Sequence, residues 1–62
     1  MFEILLKKLI GGFAQIKMCK TIEEKKNKAL EVGFTKNLMR MKDVDEPTFE
    51  KYFQAYKKEV NP

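Results

Sequence analysis

Few side chains in this sequence could make or break a covalent bond. Cys19 is the one thiol, set between Lys17 and Lys20. The chain contains no histidine to activate it, and no serine to act as an alternative nucleophile. Ser–His and Cys–His catalysis therefore cannot be assembled from one chain. The thiol is expected to be packed or incidental. Asp43, Asp45 and Glu46 lie close enough together to suggest a hard cation. They lack the Asp-x-Asp-x-Asp-Gly spacing and distant glutamate of a calcium loop, so their better use is as negative charge at the start of the following helix. Neither Gly-rich phosphate fingerprint, GxxxxGKS/T or GxGxxG, occurs, and Gly11-Gly12 sits inside an apolar stretch. The chain is read as a non-enzyme with no metal and no cofactor.

What remains is chemistry suited to binding. The stretch "ALEVGFTKNLMRM" runs from Ala29 to Met41. Its Ala29, Val32, Gly33, Phe34 and Met39 fit the packed corner of a DNA-binding helix-turn-helix, whereas Lys28 and Lys42 fall where that unit wants apolar residues. Its second helix would present Thr35, Lys36, Asn37 and Arg40, groups able to reach phosphates or base edges. Lys25 and Lys28 would stand beside them, with Leu38, Met39 and Met41 packing inward. The same Ala-x-x-x-Gly corner also arises wherever a helix packs closely and stops at a glycine cap. A plain αα corner and a DNA-reading unit over residues 21–42 are both consistent with these residues.

The positioning elements must come from a short chain. Sixty-two residues make one small domain at most, near the size at which folding needs a dense core or a staple. One cysteine gives no internal disulfide, and the missing histidine removes a mixed zinc site. Dense helix packing, or association with a partner or a second copy, is the remaining route. A lone thiol fits a reducing, cytoplasmic setting. Lys7 and Lys8 interrupt the apolar start "FEILLKKLI", so neither the h-region of a signal peptide nor a membrane span of about 18 residues is expected. The net charge of +4 is uneven. Residues 1–42 carry ten Lys/Arg and four acids, and residues 43–62 carry three Lys and five acids. A basic body of this kind could face an anionic partner, or its lysines could simply be solvated.

Leu, Met, Lys and Glu dominate, and the periodicity predicts an all-α, compact bundle of three to four short helices with the longest at the two ends. The first covers about residues 2–18, with Phe2, Leu5, Leu6, Leu9, Phe13 and Ile16 on one face. Gly11-Gly12 predicts a kink or break there. Thr21-Ile-Glu-Glu24 is a capping box that starts a second helix, which stops at Gly33 in the left-handed conformation. Thr35 is expected to cap a short third helix reaching about Lys42. The acidic run Asp43–Glu46 then leads to Pro47 in the first turn of a fourth. That helix carries the stripe Phe49, Tyr52, Phe53, Tyr56 and Val60, with Phe53 expected at its centre.

The first helix has apolar surface to spare. Ile4 points away from the main stripe together with Gly11 and Gln15, with Gly12 and Lys8 nearby, a face another helix could approach. These five residues are the candidate protein interface, and a homodimer built on residues 2–16 is one form it could take. "FEILLKKLIGGF" also has the look of an interfacial membrane peptide, the less favoured partner. The sequence therefore predicts a small protein-binding module, an adaptor, inhibitor or regulatory subunit acting by surface occupation. The alternative is a DNA-binding regulator using residues 21–42.

Overall fold

The computed structural model describes residues 1–61. Four helices follow one another: α1 (Phe2–Met18), α2 (Ile22–Glu31), α3 (Phe34–Val44) and α4 (Glu46–Val60). No strand occurs among the described residues. The all-α bundle predicted from composition and periodicity is the fold, with the two longest helices at the ends of the chain.

In α1 the buried residues are Leu5, Leu9, Gly12 and Ile16, spaced three or four apart as one helical face requires. Leu6 and Phe13 flank them half-buried, and Phe2 lies at the margin. The helix runs unbroken through Gly11-Gly12, where the glycine pair predicts a kink or break. Packing supplies the reason. A Cβ on Gly12 would lie 3.3 Å from Val32 Cγ2 and 3.4 Å from Phe34 Cδ1. The missing side chain lets the α2–α3 corner seat directly on α1, and that contact offsets the freedom glycine brings.

α2 begins as its capping box predicts, with the Glu24 amide donating to Thr21 Oγ1 at 3.1 Å. The reciprocal half differs. The Thr21 hydroxyl donates to Glu24 Oε1 at 3.0 Å, which holds the carboxylate at the hydroxyl instead of the Thr21 amide. α2 buries only Ala29 and leaves Leu30 exposed, so it lies on the outside of the bundle. Gly33 then turns the chain at φ 69°, ψ 26°, a conformation that costs a side-chain-bearing residue about 1–2 kcal/mol.

The helix after this turn starts earlier than Thr35. Gly33 accepts the Asn37 amide at 3.0 Å, so α3 opens at Phe34 and Thr35 lies exposed in its first turn. Starting at Phe34 puts Phe34, Leu38 and Met41 on one buried face. Met39 lies off that face and is 57% exposed, against the expectation that it packs inward. At its far end α3 takes in Asp43 and Val44, which the sequence assigns to a connection. Asp45 alone links α3 to α4: its amide donates to Met41 O at 2.7 Å and its carbonyl accepts the Phe49 amide at 3.1 Å. Thr48 Oγ1 donates to Asp45 Oδ2, and Pro47 stands in the first turn of α4.

Phe34 is the centre of the core. It is fully buried, its ring 5.9 Å from Phe13 of α1 and 5.4 Å from Tyr56 of α4. Phe13 also meets Tyr52 edge-on at 6.1 Å. Phe53, expected at the heart of the α4 stripe, is only half-buried; it stacks on Phe49 at 5.3 Å and has the Lys57 ammonium over its ring. Phe49 is the buried member of this part of the stripe, while Tyr52, Phe53 and Tyr56 are all half-buried and packed against the core.

Candidate functional site

The antiparallel arrangement of α1 and α3 makes a cleft at one end of the pair. Gly12 meets Phe34 at the other end. The cleft, of about 340 Å³, opens between the helices and is lined by Met1, Ile4, Leu5, Lys8, Arg40, Asp43 and Val44. Ile4 and Lys8 are one turn apart on α1; Arg40, Asp43 and Val44 span one turn of α3. Leu5 forms the buried floor, while Ile4 is 64% and Val44 44% exposed. A second, broader depression of about 550 Å³ lies on the outer side of α3, lined by Lys36, Met39, Arg40, Lys42 and Asp43. Arg40 and Asp43 line both, so the two depressions form one continuous face.

The charges on this face are unspent. Lys8, Lys36, Arg40 and Lys42 line it against the single acid Asp43. The ion pairs among the described residues are Lys25–Glu59 at 2.8 Å and Lys28–Glu31 at 3.4 Å, both elsewhere. Lys42 does cover the Phe49 ring, its ammonium 5.7 Å from the centroid.

The residues singled out by sequence separate accordingly. Ile4, Lys8, Gly11 and Gln15 are exposed on α1. Gly12 is not available to another chain, since Val32 and Phe34 occupy the space over it. Its neighbour Gly11 has open space there. Of the nucleic-acid candidates, Thr35, Lys36 and Arg40 are exposed on α3 and Asn37 is half-buried. Lys25 and Lys28 are engaged with carboxylates: Lys25 ties the first turn of α2 to Glu59 in the last turn of α4, and Lys28 reaches Glu31 on its own helix. α2 and α3 meet at the Gly33 turn, but Met39, expected to lock that corner, is exposed, and part of the basic set is turned to the protein itself.

The sequence assigns Ile4 and Lys8 to one candidate site and Arg40 to a rival one, yet they line the same cleft. Val44 and Asp43 belong to it as well and are absent from both candidate sets. Only the extension of α3 past Lys42 brings them there, and the acidic run masks that extension in the sequence.

The groups with covalent potential lie away from this face. Cys19 is half-buried at the end of α1, where its thiol donates to Gln15 O at 3.5 Å. No group of three or more His, Cys, Asp or Glu among the described residues could hold a metal ion. No helix among them is long and apolar enough to cross a membrane. The chain matches no protein-family model, no curated protein and no solved structure.

Proposed function

We propose that the protein is a small binding module that works by covering a surface of a larger protein with its α1–α3 face. The observation that carries this reading is the cleft in which Ile4, Leu5 and Val44 lie between Lys8 and Arg40. An apolar centre with a polar, charged rim is the anatomy of a protein interface. An adaptor, an inhibitor and a regulatory subunit all act in this way. A cytoplasmic setting suits the free thiol of Cys19.

DNA binding is the second reading, favoured by Lys36 and Arg40 sharing the exposed side of α3. Two observations weigh against it: Lys25 and Lys28 already hold carboxylates, and Asp43 stands beside Arg40, where it would repel phosphate. Site-directed photo-crosslinking in cells separates the readings. A photo-reactive residue replacing Ile4 should form adducts with another protein, whereas one replacing exposed Lys26 on α2 should not. Equal adducts from both positions, or adducts only with a second copy, would overturn the proposal. So would duplex binding that is strong in about 50 mM salt and falls steeply as salt rises.

A further inference from the structure

We infer that the occupant of the α1–α3 face is an amphipathic helix of another protein whose apolar ridge is flanked by acids. This rests on the docking reading above and adds the chemistry of the partner. The form of the occupant follows from the backbone. Every element is a helix with its own hydrogen bonds satisfied internally, so no strand edge is on offer for an extended peptide among the described residues. A valley between two antiparallel helices takes a third helix, whose side chains at i, i+3 or i+4, and i+7 seat as ridges in the groove. The cleft at Ile4, Leu5 and Val44 receives such a ridge on one side of Arg40, and exposed Met39 offers a second contact on the other.

The charge of the occupant follows from the lining. Lys8 and Arg40 line the apolar cleft, Lys36 and Lys42 join Arg40 along the adjoining depression, and Asp43 is the one acid of either; none of them is in an ion pair within the chain among the described residues. Acids along both edges of the incoming helix would meet Lys8 on the α1 wall and Lys36 and Arg40 on the α3 side. A second copy fits less well, because a two-fold pairing brings two net-cationic linings together. DNA would bury Ile4 and Val44 against phosphate without gain and face Asp43 as well. A bilayer would have to accept Asp43 beside the exposed Ile4 and Val44.

The test uses the full chain and labelled helical peptides about four turns long: a leucine ridge flanked by Glu, the same ridge flanked by Lys, and Glu flanks on an alanine ridge. Fluorescence anisotropy should show the Glu-flanked leucine peptide binding and the other two binding at least about tenfold more weakly. Lys8→Glu with Arg40→Glu, both at exposed positions that should leave circular dichroism unchanged, should reverse the preference, so that the Lys-flanked peptide now binds best. Equal binding of the Glu- and Lys-flanked peptides at the cleft overturns the acidic partner and leaves the docking reading standing. Binding of neither leucine peptide at about 1 mM overturns both, as does binding confined to duplex DNA or to phosphatidylserine vesicles. A concentration-dependent dimer in sedimentation equilibrium that the double variant abolishes overturns the inference in favour of a second copy.

Discussion

The two adjacent glycines of α1 should respond oppositely to the same substitution. An alanine in a helix interior is worth about 1 kcal/mol over glycine through backbone entropy. At Gly11 nothing lies within 4 Å of the added Cβ, so Gly11→Ala should realise that gain in full. At Gly12 the same gain meets Val32 Cγ2 at 3.3 Å and Phe34 Cδ1 at 3.4 Å. Val32 is half-exposed and can shift by a few tenths of an ångström. Phe34 cannot do so freely, since Phe13 and Tyr56 pack against its ring. Overpacking a fitted core costs about 1–3 kcal/mol, so Gly12→Ala should be neutral to destabilising and at least about 1 kcal/mol below Gly11→Ala. In thermal denaturation followed by circular dichroism, that is a gap of about 4–8 °C for a domain of this size. Equal melting temperatures for the two variants would refute the close seating of the α2–α3 corner on α1.

Four other substitutions probe the frame that holds the cleft. Phe34→Ala removes the ring at the centre of the core and should cost about 3–5 kcal/mol. That is comparable to the whole stability of a small domain at roughly 0.05–0.15 kcal/mol per residue, so a loss of helical signal at 25 °C is expected, whereas Phe53→Ala at the core edge should remain folded. Thr21→Ala removes the acceptor of the Glu24 amide and should lower stability by about 1 kcal/mol in a urea melt. Glu59→Gln loosens the half-buried pair with Lys25 and should cost up to about 1 kcal/mol, a difference that shrinks in high salt because the partners are partly solvated.

Much of this frame is legible from residue order. Apolar spacing of three and four places α1 and α4, and Thr21 and Gly33 mark the two ends of α2 because each does a local job that needs no tertiary contact. The errors arise where a contact between helices decides. Gly12 reads as a weak point until Phe34 is known to lie over it. Met39 reads as core from its apolar character, but Leu38 and Met41, three apart, set the buried face of α3 and leave Met39 to solvent. The acids Asp43 and Asp45 read as a connection, although only Asp45 leaves helical geometry. The cleft was half legible: Ile4 stands out as surplus apolar surface and Arg40 as an exposed cation. That they adjoin depends on the antiparallel packing of α1 on α3, which no local pattern encodes.

The central claim is that the α1–α3 face is where a partner docks, and residue-resolved NMR tests it most directly. The ¹⁵N-labelled full chain would be titrated with the Glu-flanked leucine peptide while amide shifts are followed for every residue. Saturable shifts are expected at Ile4, Leu5 and Lys8 and at Met39 to Val44, with little change along Glu23 to Glu31 on α2. Shifts centred on the lysines of α2 or on the aromatic edge of α4, with Ile4 and Val44 unmoved, would contradict that claim.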